Sequence, residues 1–317
     1  MAQVDLRVRI AGITFPNPIL LASGPHGRNA RSMVLMARAG AGGIWTKTIS
    51  LEPREGYPHP RIFNPSPFIL MNAFGGPNPG LSAFQEEIRS AKKGMEVPLV
   101  GSLVFRSAEE AVKVATGMAE AGADMLELNF KLLTEMDHPE ELLATSIRRV
   151  KKSVSIPVGA KLPPSRPLEI PRLAGVAQEA GADFLTMMNT VPALSIDIET
   201  FRPRLGNPRG AYYSGPAIKP LAVKCIAETA RKVSLPIFGA GGCASAEDAI
   251  EMILAGAHAV QLCTAVMLKG PEIFGEILSG LTAYLTRKRL ASVEELCGKA
   301  LAHLSAPSMH EEWRTKG

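Results

Sequence analysis

The feature that most constrains this chain is a small pattern used four times: Ala39-Gly40-Ala41-Gly42, Ala121-Gly122-Ala123-Asp124, Ala180-Gly181-Ala182-Asp183 and Ala255-Gly256-Ala257-His258. Each copy follows a segment with helical apolar spacing, such as Ala111, Val112, Val114, Ala115 and Met118, and each precedes a short apolar run. Glycine supplies the left-handed position that ends a helix, and alanine lets that end approach the next strand. The four copies therefore read as helix-to-strand turns.

Eight runs read as strands: 19–22, 43–47, 99–104, 125–129, 158–161, 184–188, 237–239 and 259–262. Strands that alternate with helices build a parallel sheet, and eight such units predict the α/β class, as a (β/α)8 TIM barrel. One domain spanning 1–317 is expected. The alternative, an open doubly wound sheet, lacks the GxGxxG that its dinucleotide site would place after the first strand. Two connections are too long for simple loops. They cover 48–80, with seven prolines, and 190–215, with Pro192, Pro203 and Pro208. Both follow strand C-terminal ends and predict insertions over the C-terminal face of the barrel, where such folds build active sites.

Composition narrows the function. A 46% hydrophobic, 21% charged chain has an ordinary core, which excludes disordered, collagen-like and disulfide-stapled classes. Thirty-five Lys and Arg against 30 Asp and Glu leave +5, spread along the length, so neither nucleic acid nor a membrane surface is an expected partner. No apolar run is long enough to span a bilayer, and the charges at Asp5, Arg7 and Arg9 argue against a signal peptide. The four cysteines form no CxxC pair, so reduced thiols, a cytoplasmic location and no metal site are expected.

The predicted strand ends carry Ser23, Lys47, Ser102, Asn129, Lys161, Asn189 and Thr264, which a barrel would gather at one mouth. An ammonium at a strand end is costly unless it faces an anion or polar ligand, or snorkels past the end to solvent. Glycines in Ile237-Phe238-Gly239-Ala240-Gly241-Gly242, ahead of a helix capped by Ser245, and the hydroxyl in Gln261-Leu262-Cys263-Thr264-Ala265 put backbone N–H groups around one point. That is the phosphate pocket of barrel enzymes; glycines serving tight turns alone are the other reading.

With these pieces in place, the chain resembles the flavin-dependent dihydroorotate dehydrogenases, in particular their class 1 branch, from about Val8 to Leu285. The matching pieces include Asn17-Pro18-Ile19, Ala22-Ser23-Gly24, Thr46-Lys47-Thr48, Met71-Asn72, Glu127-Leu128-Asn129, Ala160-Lys161-Leu162-Pro163, Asn189-Thr190 and the run from Ser214 to Pro220. The resemblance implies a non-covalent FMN. Its phosphate would lie on Gly215, Gly241, Gly242, Thr264 and Ala265, with Ala22, Ser23 and Gly24 against the rings. Lys161 matches the lysine that stabilises reduced flavin, and Lys47 the lysine that reaches both flavin and substrate. Asn72, Asn129, Asn189 and Thr190 match the groups that hold the substrate, and amides suit a ring whose imide edge needs both donors and acceptors.

The resemblance also exposes a departure. Family members follow the asparagine of the fourth strand with Ser-Cys-Pro-Asn, the cysteine being the general base, whereas this chain reads Asn129-Phe130-Lys131-Leu132-Leu133-Thr134-Glu135. Leu132 stands at the base position and takes no proton, and Thr134 replaces an asparagine. Thr134, Glu135 or His138 would then substitute, with Lys47, Asn129, Thr134 and His138 forming the expected catalytic set; His138 also reads as an exposed residue at a helix start. The expected activity is hydride transfer between a dihydropyrimidine-like ring and FMN. The alternatives are an FMN oxidoreductase of another substrate and a flavin subunit without turnover. Electrons would leave through a separate iron–sulfur/FAD subunit or a soluble acceptor, since no cysteine cluster could hold iron–sulfur here. No amphipathic segment precedes Val8, which argues against the membrane-bound class, and a homo-oligomer is expected.

Overall fold

A computed structural model of the chain describes residues 4–131, 139–164 and 170–304. A hairpin of β1 (Val8–Ile10) and β2 (Ile13–Phe15) precedes the barrel. The barrel strands are β3 (Ile19–Leu21), β4 (Ile44–Trp45), β7 (Leu99–Leu103), β8 (Met125–Asn129), β9 (Val158–Lys161), β10 (Phe184–Met187), β15 (Ile237–Ala240) and β16 (Ala259–Leu262). They close in that order, every neighbour parallel, with β16 returning to β3. The expected (β/α)8 barrel is therefore the fold, and closure excludes the open sheet. All eight expected runs are strands, with bounds that differ by at most two residues at an end.

Side chains fill the barrel. Trp45 and Phe238 meet edge to face at 4.9 Å, Phe184 adds a second edge contact to Phe238 at 5.2 Å, and Phe15 stacks on Trp45 from the strand N-terminal side. All four are fully buried, as expected of a barrel interior that is a packed core.

Helix α3 (Ala108–Glu120) illustrates how the outer ring forms. Ser107 caps it by accepting the N–H of Glu110, Glu109 and Glu110 sit in the first turn, and Ala111, Val114, Ala115 and Met118 form its buried stripe. It ends at Ala121-Gly122, where Gly122 has φ +104°, a conformation that side chains rarely adopt. The aspartate of the same turn then acts as a clamp. Asp124 Oδ2 accepts the backbone N–H of Leu99 at 2.7 Å and the Nζ of Lys92 at 2.6 Å, tying one helix to the start of two strands. The next repeat copies the device: Asp183 Oδ2 accepts from Val158 N at 2.7 Å and from Lys151 Nζ at 2.6 Å. In the fourth repeat His258 Nδ1 accepts from Ile237 N.

The two long insertions do more than loop over the mouth. Strands β5 (Ile62–Ser66) and β6 (Ile69–Asn72) of the first pair with β11 (Val191–Ala193) and β14 (Ala211–Ser214) of the second, in the order β11-β14-β6-β5, all antiparallel. Pro65 and Pro192 lie on the outer strands, where a missing N–H leaves no central ladder bond unmade. A smaller hairpin, β12 (Ile196–Asp197) with β13 (Arg202–Pro203), extends the second insertion.

The clamp sets an expectation for stability. Asp183→Ala leaves the Val158 N–H without its charged acceptor and should cost about 2 kcal/mol. Lys151→Met, which removes only a half-exposed ion pair, should cost less than about 1 kcal/mol. Chemical denaturation of both variants checks the order, and equal losses would contradict the clamp.

Candidate active site

The barrel mouth and the covering sheet enclose a cavity of about 260 Å³. Its lining contains Ala22, Ser23, Gly24, Lys47, Asn72, Asn129, Lys161, Asn189, Thr190, Gly215, Gly241, Gly242, Thr264 and Ala265. Every described residue expected from sequence as a site residue thus converges on one place. Thr134 and His138, with Leu132 and Glu135, lie outside the described residues.

The floor rests on a buried carboxylate. Glu127, on β8, is fully buried; its Oε2 accepts from Trp45 Nε1 and Thr186 Oγ1, both at 2.8 Å, and its Oε1 accepts from Ser102 Oγ at 3.1 Å. Lys161 Nζ, one strand over and 5% exposed, stands 4.0 Å from Oε1 and also faces the cavity. A carboxylate only accepts, so it sets the direction of what is bonded to it. Ser102 donates to Glu127 and so accepts a hydrogen bond from Thr48 at 3.0 Å; Thr48 accepts from Asn129 Nδ2 at 3.4 Å; Asn129 Oδ1 accepts from Asn189 Nδ2 at 2.9 Å. Asn189 Oδ1 accepts the N–H of Thr190. One polarised chain therefore runs from the barrel core to the cavity wall and fixes both amide orientations.

At the other end two turns touch. Gly215 (φ +104°) follows β14, and a Cβ there would lie 2.6 Å from Phe68 O; Gly242 (φ +84°) follows β15, and a Cβ there would lie 2.6 Å from Lys219 N and 2.9 Å from Gly215 O. Only glycine permits this approach. Helix α7 (Ala246–Leu254) begins just beyond, and Ser245 caps it as expected by accepting Asp248 N. The Thr264 hydroxyl donates to Ser214 Oγ at 2.9 Å, which locks the turns after β14 and β16 together.

Sequence reasoning did not single out several lining residues. Gln261, on β16 and 2% exposed, has neither polar atom of its amide bonded to protein. Its signal was present in the Gln261-to-Ala265 motif. Tyr212 is the register partner of Asn72, so both share the sheet face that looks into the cavity, and the Lys131 ammonium sits 3.4 Å from the Tyr212 ring centroid. Arg54 and Tyr57 complete the rim. Among the described lining residues there are thus four cations, Lys47, Arg54, Lys131 and Lys161, and no Asp, Glu or His. Burial pushes the Lys47 ammonium below the ordinary lysine range and the Cys263 thiol above the ordinary thiol range. The thiol is therefore no nucleophile near neutral pH. All four cysteines are free thiols, and no group of described residues has a metal-binding arrangement.

The site's residues fall within a family model described as dihydroorotate dehydrogenase, which matches residues 5–285. The chain belongs to the dihydroorotate dehydrogenase family. A Methanothermobacter thermautotrophicus protein named dihydroorotate dehydrogenase B (NAD(+)), catalytic subunit, is 40% identical over 306 residues, covering 94% of this chain and 98% of that protein. A Pyrococcus abyssi protein of the same name is 39% identical over 302 residues, covering 93% and 99%. The crystal structure of a DHODH from Eimeria tenella in complex with ferulenol superposes with a TM-score of 0.81 over 95% of this chain and 89% of that one; at 22% identity it bears on the fold. Among the described residues, no helix of this dihydroorotate dehydrogenase family member is long and apolar enough to cross a membrane.

Glu127 gives the site its own expectation. Glu127→Leu strands the buried Lys161 charge and leaves Trp45, Ser102 and Thr186 without their acceptor. It should destabilise the fold by about 3–5 kcal/mol, and Glu127→Gln by less, in denaturant titrations. A stable Glu127→Leu protein would mean that the carboxylate is dispensable to the barrel.

Proposed function

We propose that this chain is a cytoplasmic, FMN-carrying dihydroorotate dehydrogenase catalytic subunit, folded as one unit, which oxidises dihydroorotate to orotate. The observation that carries this reading is the Gln261 amide, buried in the cavity wall with a donor and an acceptor unmet by protein. A buried amide left unpaired is costly, so a bound partner with complementary edges fits it, as a flavin ring does. The touching glycine turns after β14 and β15 leave room for an anion against main chain, which suits the FMN phosphate.

Bound FMN supplies a two-electron acceptor for hydride. The chain supplies the rest. Lys161, buried beside Glu127, provides positive charge where reduction adds negative charge, and it is held there by a carboxylate that cannot leave the core. Asn129 and Asn189, oriented by the chain of hydrogen bonds from Glu127, present fixed amide edges to a substrate ring, and Asn72 approaches from the covering sheet. Lys47 and Arg54 draw a substrate carboxylate to the same side of the cavity. The sheet overhead restricts water, which strengthens each of these interactions.

The curated relatives are named as catalytic subunits, and this chain's four cysteines form no cluster. Both facts support electron exit through a separate iron–sulfur/FAD subunit; the catalytic chain itself is further proposed to form a homo-oligomer. The experiment is anaerobic mixing of the FMN-loaded protein with dihydroorotate. Loss of the oxidised flavin's visible absorbance with one orotate formed per flavin is expected. Lys161→Met should bind FMN at least tenfold more weakly and lower its reduction potential, because a cation beside developing negative charge contributes on the order of a few kcal/mol. Orotate absent after full mixing, or FAD in place of FMN on heat release, would contradict the proposal.

A further inference from the structure

Oxidising two adjacent ring carbons sends one hydrogen away with its electron pair and the other as a proton, and a group of the protein must take that proton. Leu132 has no atom that can. We propose that Lys131 carries it: the Nζ held over Tyr212 exchanges a proton with the ring carbon that does not lose hydride. The assignment rests on the dihydroorotate reading of this cavity.

The geometry holds this lysine at both ends. Its backbone N–H donates to Asn129 Oδ1 at 3.2 Å, the same oxygen that accepts from Asn189 Nδ2, so its main chain is fixed to the amide pair proposed to hold the substrate. Its ammonium lies 3.4 Å from the ring centroid of Tyr212, on the covering sheet beside Asn72. The amine is thus suspended between barrel and cover, inside the cavity.

The other proton-bearing groups around the cavity are placed differently. Lys161 faces Glu127, and the Cys263 thiol is buried so close to Gly24 that a Cβ on that glycine would lie 2.6 Å from its sulfur. The Cys243 thiol donates to Ser245 O. Lys47 lines the same cavity with its ammonium 6.0 Å from the Phe74 ring centroid, on the side proposed to draw the substrate carboxylate. Tyr57 and Arg54 are on the rim. The chain after Lys131 carries Thr134, Glu135, Asp137 and His138, outside the described residues, and the test below separates them.

In oxidation, the C–H bond beside the ring carbonyl breaks towards Nζ, which becomes an ammonium. The electron pair left behind forms the ring double bond as hydride departs from the neighbouring carbon, and bound FMN would accept that hydride with its own electron pair. In the reverse direction the ammonium returns the proton. An amine takes up a proton only in its neutral form and gives one up only as the ammonium, so Lys131 serves oxidation as the amine and reduction as the ammonium. The oxidation rate should therefore rise with pH.

The test is single-turnover flavin reduction by dihydroorotate, without oxygen, across roughly pH 7 to 9, together with orotate affinity read from the flavin spectrum. For the natural chain a rate that rises with pH is expected. Lys131→Met should lose at least about 100-fold and the pH dependence, while binding orotate within about threefold. Lys131→Arg keeps the charge and the ring contact but gives up no proton, and should be as slow. Small primary amines added to Lys131→Ala should restore part of the rate. A Lys131→Arg enzyme within tenfold of the natural rate would overturn the proposal and leave Lys131 a positioning residue. So would a rate kept in Lys131→Met but lost in Thr134→Val, Glu135→Gln, Asp137→Asn or His138→Ala. A natural chain that binds orotate yet is not reduced by dihydroorotate at any pH would overturn the dihydroorotate reading itself, and this assignment with it.

Discussion

A carboxylate with no access to water is costly to keep, and the arrangement of this site follows from how Glu127 is kept. Trp45, Ser102 and Thr186 donate to it from three other strands, and Lys161 supplies the opposite charge from a fourth. Breaking such a pair leaves a buried charge uncompensated, so the strands that carry these groups are held in register at the level of the cavity floor. The polarity of the carboxylate then passes outward through Ser102, Thr48 and Asn129 to Asn189. Rigid amide orientation at the surface of the cavity is thus a consequence of an acceptor placed in the core.

The second constraint is the cover. A barrel mouth alone is an open dish. Here two insertions after β4 and β10 pair with each other, and their antiparallel sheet brings Asn72 and Tyr212 over the strand ends. Because the described lining is cationic and lacks carboxylates, the cavity favours anions, as the proposed cofactor phosphate, reduced flavin and substrate carboxylate require. In the proposed function, one electrostatic sign serves cofactor and substrate together.

The barrel was legible because its signals are local. Alanine and glycine at each helix end, an aspartate after two of them, and apolar runs of three to six residues leave few other folds, and the runs 125–129, 158–161 and 259–262 match their strands at both ends. The covering sheet was not legible as a sheet, since Pro65, Pro67 and Pro192 read as loop and its pairing joins segments more than a hundred residues apart. Strand-end polar residues were found because barrel topology alone sends them to one mouth. Tyr212 was missed because it enters only through pairing of the two insertions. Lys131 was passed over because the family pattern draws attention to the base position beside it. Glu127 was visible as part of a motif, but its burial and its four partners depend on packing that no single stretch encodes.

The most direct measurement is a crystal structure of the chain with FMN and orotate bound. The account requires the phosphate against Gly241 and Gly242, the Gln261 amide bonded to ligand, Lys161 beside the flavin ring, and orotate above that ring within hydrogen-bond reach of Asn72, Asn129 and Asn189. A flavin seated elsewhere, or orotate bound outside the space between the barrel mouth and the covering sheet, would contradict it.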